Sequence, residues 1–349
     1  MNVSVIIATR NRAPKLRSCL DSIATAFANA APLAAEIVIV DNGSTDNSRE
    51  IIAAWASANG VRVKLLSEPR PGKGRVLNCA FKAAEGAVLA LLDDDCLMHP
   101  EHINDLLRHD AADTGLVLRG GRVELGDPTD LPFTINTSDA RRQWKLADNT
   151  LRREGVAGII NGCNLMMRRA LLERLGPYDE DFGPGSLIGS GDDTDYIFRA
   201  YLAGATIEYV PDMTVFHYHG RKTAAAGYNL WHKYMIGAGG LYAKYLFKHP
   251  DFCRQFYWDL RDASKEVIGR SNSFLPAIGF SYKDKVLFSV RGAFRYSVTR
   301  RVLRAAKAIK GQHDNNLRRY PVLPEKRWNF APDDDGAPAA EATVRRSAG

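Results

Sequence analysis

Three consecutive aspartates, Asp93-Asp94-Asp95, close an apolar run, Ala87-Val88-Leu89-Ala90-Leu91-Leu92. Adjacent carboxylates repel one another, and keeping them ionised at the end of a packed strand is costly without a compensating cation. A divalent metal is the natural compensator, because hard Mg²⁺ or Mn²⁺ takes oxygen ligands and commonly shares one or two carboxylates with substrate phosphates. A solvated acidic turn or helix start is the plainer reading, and the position at a buried strand end favours the metal. In an extended segment alternate side chains point oppositely, so Asp93 and Asp95 can face one ligand while Asp94 faces away. A second apolar run, Glu36-Ile37-Val38-Ile39-Val40, ends at Asp41-Asn42-Gly43-Ser44-Thr45-Asp46. There Gly43 permits a tight turn, Ser44, Thr45 or Asp46 can cap a helix, and the Asp41 carboxylate can accept a nucleobase N–H. Gly72-Lys73-Gly74-Arg75, with Asn78 behind it, brings glycines and cations to a helix start that favours anions, without the spacing of a P-loop. Asp192, Asp193 and Asp195 stand where a helix through Tyr196 and Phe198 begins, and suit either capping or acid–base work. His217 and His219 flank Tyr218, so in a strand both would point the same way.

These residues need elements to hold them. Apolar runs without strict alternation, separated by helical patterns, recur through the first two hundred residues. They predict an α/β fold with a mostly parallel, doubly wound sheet flanked by helices. Such sheets bind ligands outside the carboxyl ends of strands, where every loop above lies. Gly158–Gly162 and Thr206–Pro211 read as later strands, with helices near Ala170–Leu175 and Thr194–Ala203 between them. Arg122–Arg153 is irregular and polar, as expected of a loop near the site. The boundaries predicted are a catalytic domain over 1–220, a largely helical basic extension over 221–330 and a disordered tail over 331–349.

In this order the pieces resemble family 2 glycosyltransferases of the GT-A fold. The resemblance rests on Thr9-Arg10-Asn11-Arg12 after the first strand, Asp41 to Asp46, Gly72 to Arg75 with Asn78, and Leu92 to Asp95. It continues through Asn161-Gly162-Cys163-Asn164, Tyr178 to Gly183, Gly191 to Asp195 with Arg199, and Val215 to His219. It implies an inverting hexosyltransferase with a nucleotide-sugar pocket built from Thr9, Arg10, Arg12, Asp41, Ser44, Lys73, Arg75, Asn78, Asp93, Asp94 and Asn164. Within that pocket Asp41 would meet the base, Asp93 the ribose side, and Asn164 the sugar or acceptor. Asp95 would hold Mn²⁺ or Mg²⁺ with one of His217 and His219. The family's Glu-Asp pair aligns with Asp192-Asp193, an aspartate standing here where glutamate is usual, and its second member implies Asp193 as the base.

Composition bounds the rest. The chain has 349 residues and a formal net charge of +7. Residues 221–331 hold 22 Lys and Arg against 7 Asp and Glu, so the remainder is acidic. A basic appendage suggests an anionic membrane surface. Nucleic acid is disfavoured, since no binding motif accompanies the charge. Phe294, Val298, Val302, Ala305 and Ile309 share one helical face, with Arg300, Arg301, Arg304 and Lys307 opposite. That pattern suits either an interfacial helix or one docked on the catalytic domain. No run is long and apolar enough to span a membrane, and no signal peptide is evident. The expected place is therefore the cytoplasm, peripherally at the inner face of the membrane. Five scattered cysteines show neither CxxC pairs nor a histidine at metal spacing, so no zinc site is read. The expected partners are a UDP- or GDP-sugar donor and a glycan or lipid-linked acceptor of the cell envelope. Two other readings compete. A sugar nucleotidyltransferase would carry a glycine-rich basic loop where this chain has Thr9-Arg10-Asn11-Arg12. A non-catalytic nucleotide- or membrane-binding module would need no base at Asp193.

Overall fold

The computed structural model describes residues 2–309. The tail expected over 331–349 and the last part of the basic extension lie outside the described residues. The chain opens with β1 (Val3–Thr9), α1 (Ala13–Asn29), β2 (Ala35–Asp41), α2 (Ser48–Asn59), β3 (Val63–Ser67), α3 (Lys73–Ala83) and β4 (Val88–Asp93). Then follow β5 (Cys96–Met98), α4 (His102–Ala112), β6 (Val117–Leu125), β7 (Arg142–Trp144), α5 (Thr150–Glu154), β8 (Asn164–Arg168), α6 (Arg169–Leu175), α7 (Asp192–Leu202) and β9 (Thr206–His217). Three helices complete the described chain, α8 (Ala224–Tyr245), α9 (Arg254–Val267) and α10 (Tyr282–Ile309).

The architecture is α/β, with one sheet ordered β3-β2-β1-β4-β8-β6-β9-β5 and β7 beside β9. The first four strands are parallel neighbours, as their apolar runs predict. Beyond them the directions mix, so the parallel description covers only that half. β8 runs antiparallel to both β4 and β6, while β6 and β9 are parallel. A parallel neighbour requires a crossover, usually helical. The turn-rich chain entering β8 holds only the five-residue α5, and the strand runs antiparallel to its neighbours. The strand expected at Gly158–Gly162 is a series of turns, and pairing starts at Asn164. Gly158 sits at φ +78, which breaks an extended course. Thr206–Pro211 is the first half of a single strand that continues to His217.

Alternation along β1 explains the layers. Val3, Val5 and Ile7 pack with α1, α2 and α4, while Ile6 packs on the other face with α3, α6 and α7. Leu241 and Tyr245 of α8 and Tyr296 of α10 join that second core, so the basic extension packs on the catalytic layers. α8 and α10 approach almost backbone to backbone. A Cβ on Gly239 would lie 1.8 Å from the Ser289 carbonyl oxygen, and one on Gly292 would lie 2.0 Å from that of Ile236. Polar contacts fix the docking. Asp195 at the start of α7 receives Arg199 (2.9 Å), Lys244 (2.5 Å) and the Tyr245 hydroxyl (2.6 Å), and is almost fully buried. Arg300, expected on the solvated basic face, instead reaches Asp181 at 3.1 Å. A buried charge so fully paired resists loss of any one partner, because the remainder would be left uncompensated.

Candidate active site

Parallel strands in register set their carboxyl ends side by side, with Thr9 beside Asp41 and Ala8 beside Asp93. The loops leaving those ends are tied together by short polar side chains. Asn11 adopts a left-handed conformation, φ 53, which asparagine tolerates better than most residues. Its N–H donates to Ser44 Oγ (2.9 Å) and its Oδ1 accepts the Thr45 N–H (2.7 Å). Asp41 is buried; its carboxylate accepts the Ser44 N–H at 3.1 Å and lies 3.4 Å from Arg49. Asn42 donates to the carbonyls of Glu68 (2.6 Å) and Arg70 (2.8 Å), which anchors the glycine-rich loop over the strand ends. Gly72 precedes α3 at φ +137, and Lys73 begins the helix.

The Asp93-Asp94-Asp95 segment is not extended throughout. β4 ends at Asp93 and the chain turns at Asp94 and Asp95 before β5, so strand alternation does not sort the three. Asp93 accepts Lys73 Nζ at 2.6 Å. Asp94, expected to face away, is buried, 3.3 Å from Arg12 Nε. Burial, only partly offset by Arg12, pushes its carboxyl up to about 7. Asp95 lies 3.3 Å from Arg12 Nη2 and 3.3 Å from His217 Nε2. Burial opposes its ionisation, but the hydrogen bond and charge of His217, with Arg12 behind them, hold it down at about 2. For His217 burial disfavours the cation, yet Asp95 lifts the imidazole to about 9. His219 does not face the aspartates. Its Nδ1 accepts the Arg221 N–H and its Nε2 meets the Leu131 carbonyl, both at 3.0 Å, so it secures a neighbouring loop.

The Asp192-Asp193 pair opens α7 behind Gly191, which is left-handed at φ +90. Asp192 is buried against Gly183. Burial first, then the charge of Asp193, push Asp192 up to about 8. Asp193 is more open and accepts the Gly162 N–H at 3.2 Å. Lys73 links the two acidic groups. Burial opposes its charge, but Asp93, Asp193 and Asp192 hold it protonated, well above the usual lysine range. The site is thus an arc: His217–Asp95–Arg12 at one end, Asp93–Lys73 in the middle, Asp193 at the other.

Several expected pocket residues serve the frame instead. Arg75 pairs with Glu180 at 3.0 Å. Asn78 donates to the Tyr178 carbonyl (3.1 Å) and accepts the Tyr178 N–H (2.8 Å), pegging the loop ahead of α7. Asn164 is 1% exposed, its amide given to the carbonyls of Arg122 (2.9 Å) and Met213 (2.8 Å), so it joins strands and does not face a ligand. Arg10 is exposed and Thr9 buried at the end of β1. One residue absent from the sequence reading enters here. Tyr234 of α8 is 37% exposed; partial burial first, then the charges of Asp193 and Asp192, raise its hydroxyl above the tyrosine range. Nothing local to its sequence signals this, because Tyr234 stands about forty residues downstream of Asp193 and comes within electrostatic range of it only in the folded chain.

Two outcomes follow from this geometry. A Cβ on Gly162 would fall 2.4 Å from Asp193 Oδ2 and 2.5 Å from its Cγ. Gly162→Ala should therefore displace that carboxylate and lower turnover about 100-fold with donor binding unchanged, in line with the cost of a ~1 Å misplacement. Steady-state kinetics beside calorimetric donor binding checks it; equal turnover would separate Asp193 from the chemistry. Asp192 binds a proton in the folded protein that the unfolded chain, at the ordinary 3.8, has released. Its burial therefore destabilises progressively as pH rises from about 4 to about 8. Asp192→Asn should gain stability over the parent on the order of a few kcal/mol at pH 8 and almost none at pH 4. Urea unfolding at the two pH values measures this, and a gain independent of pH would contradict it.

The fold and this arc of acidic residues define a class. The model of Glycosyl transferase family 2 matches residues 4–176. A glycosyltransferase of Haloferax volcanii, AglE, is 28% identical over 217 residues, covering 62% of this chain and 66% of that protein. The succinoglycan biosynthesis protein ExoU of Rhizobium meliloti is 28% identical over 224 residues, covering 60% of this chain and 59% of its own. The chain thus aligns with less than two-thirds of the length of either relative. Among solved structures, TarS of S. aureus superposes with a TM-score of 0.51 at 18% identity, over 85% of this chain and 54% of its own. The mannosyltransferase PcManGT of Pyrobaculum calidifontis, solved with GDP-Man and Mn²⁺, superposes at 0.50 and 20% identity, over 88% and 75%. The fold is that of the GT-A glycosyltransferases, and residues 4–176 belong to glycosyltransferase family 2.

Proposed function

We propose that this chain is an inverting, metal-dependent glycosyltransferase moving a sugar from a UDP- or GDP-sugar to an acceptor hydroxyl in the synthesis of an exported or envelope glycan. The observation that carries the reading is the pairing of Lys73 with Asp93 at 2.6 Å within electrostatic reach of Asp193. A base and a phosphate-binding turn then face one substrate from two sides. The donor set suits a hard divalent ion. Asp95 Oδ1 and His217 Nε2 stand 3.3 Å apart, close to the roughly 3 Å between adjacent ligands of an octahedral ion with ~2.1 Å bonds. Mn²⁺ or Mg²⁺ held by Asp95 and His217 would supply neutralisation of the leaving diphosphate. Arg12 and Lys73 add fixed positive charge on the same side, and Asp193 takes the acceptor proton as the hydroxyl attacks opposite the leaving group. The GDP-Man and Mn²⁺ bound by PcManGT support the donor and metal classes. The name of ExoU, a polysaccharide biosynthesis protein, supports the product class.

A lipid-linked acceptor is favoured by α10. Leu287, Val290, Phe294, Val298 and Val302 are 46%, 52%, 69%, 40% and 60% exposed on successive turns. Arg291, Arg295 and Arg301 are exposed among them. An apolar stripe edged by cations fits the interface of an anionic membrane. No described helix is long and apolar enough to cross one. The side chains of Ala305 and Ile309 lie outside the described residues. Incubation with a panel of nucleotide sugars and Mn²⁺ tests the function. Release of UDP or GDP that stops on chelation supports transfer, whereas pyrophosphate formation would replace this reading with nucleotidyl transfer.

A further inference from the structure

The structure assembles a group that sequence spacing hides. Cys96 and His217 are directly paired residues of β5 and β9, and Cys163 precedes β8 between Gly162 and Asn164. One ligand atom from each of the three lies within 4.8 Å of the others, and all three residues are buried. The thiols are not joined in a disulfide. Ligand atoms on a tetrahedral zinc ion stand about 3.3–3.8 Å apart, given Zn–S near 2.3 Å and Zn–N near 2.0 Å. The group therefore needs to close by only about an ångström. Its composition, two sulfurs and an imidazole, selects a soft or borderline ion over Mg²⁺ or Mn²⁺. His217 Nε2 also reaches Asp95 at 3.3 Å and its Nδ1 the Thr134 hydroxyl at 3.2 Å, so a bound ion must compete with one of these oxygen partners for the imidazole.

We propose that Cys96, Cys163 and His217 bind one thiophilic divalent cation of the zinc class, with water or Asp95 completing the coordination. Binding forms two metal–thiolate bonds and one metal–imidazole bond, and releases to solvent the two thiol protons and the proton that Asp95 holds on the His217 imidazole; no oxidant is required. Capture of His217 takes it from Asp95, so such an ion antagonises whatever Mn²⁺ supports at the aspartates. That last consequence rests on the transferase reading, and the site itself does not.

Cd²⁺ titrated into the reduced, chelator-stripped full chain tests the site without substrate. The expected result is a thiolate-to-metal charge-transfer band in the ultraviolet that saturates at one equivalent. Cys163→Ser and Cys96→Ala should each weaken that binding by more than the roughly 10–100-fold typical of changes outside the ligand shell. Cys79→Ser, at a thiol outside the group, should leave it unchanged. Circular dichroism identifies any variant that fails to fold, and Cys163→Ser serves if Cys96→Ala does. Absence of the band in folded parent protein, or its persistence in Cys96→Ala/Cys163→Ser, overturns the site. In the activity arm, Zn²⁺ should inhibit Mn²⁺-supported transfer in the parent and much less in Cys163→Ser. A saturating band in a protein with no transfer activity would uphold the thiol site while overturning the transferase reading.

Discussion

Asp193→Asn should bind its nucleotide sugar as the parent does and lose about 10²–10⁴-fold in turnover, the range expected when a positioned general base is removed. The substitution preserves shape, and the Asn side chain can still accept the Gly162 N–H that orients Asp193 at 3.2 Å. What disappears is the capacity to take the acceptor proton. Asp192 cannot readily replace it: it is buried against Gly183, and that burial, the first cause of its raised pKa, still opposes its ionisation once the Asp193 charge is gone. Rapid-quench measurement of a single turnover, beside calorimetric donor binding, separates the two effects. Turnover within a few-fold of the parent would move the base elsewhere. A parallel loss of donor affinity would make Asp193 a binding residue.

The second large effect is expected at the other end of the arc. Asp95→Ala should abolish metal-dependent binding of the donor, since the carboxylate that would share the ion with the diphosphate is gone. Arg12 and His217 would then lose the carboxylate each holds at 3.3 Å. Arg12, still 3.3 Å from Asp94, and the buried His217, which loses the carboxylate that keeps it charged, should leave only a weak, metal-independent affinity for nucleotide, about 100-fold or more below that of the parent with Mn²⁺. Calorimetry of GDP and UDP with and without Mn²⁺ distinguishes the two. Undiminished Mn²⁺ dependence in Asp95→Ala would remove Asp95 from the metal.

The legible parts of this molecule were those in which chemistry and local sequence coincide. Buried parallel strands announce themselves as apolar runs, and β1 to β4 with their terminal loops followed from such runs and from Gly43, Gly72 and the aspartates. The later strands did not. β8 is preceded only by the five-residue α5 and a run of turns, and Gly158–Gly162 carried enough apolar character to pass for the strand that begins at Asn164. Residue types suited to ligand binding were equally suited to holding a frame. Asn78 and Asn164 spend their amides on backbone carbonyls, and Arg75 spends its charge on Glu180. Burial separates Asn164 from the site, whereas Arg75 and Lys73 are both paired with carboxylates and differ in which carboxylate they meet, Glu180 or the strand-end Asp93. Likewise, strand periodicity placed His217 and His219 on one side, and their rings do pack edge to face with centroids 5.2 Å apart, but only His217 meets Asp95 while the nitrogens of His219 are taken by Leu131 and Arg221. Contacts spanning long sequence separations stayed invisible. Tyr234 within electrostatic range of Asp193, Arg300 on Asp181 and the thiols beside His217 each join segments that only the folded sheet and the α8–α10 pair bring together.

The anomeric configuration of the product tests the proposed geometry most directly. With an α-linked nucleotide sugar identified by the release assay, proton NMR of the first product formed reports whether the reacting carbon has inverted. A single displacement, with Asp193 activating the hydroxyl opposite the diphosphate, predicts a β-linked product. An α-linked product would contradict it, because retention would require a route that Asp193 acting as a lone base does not provide.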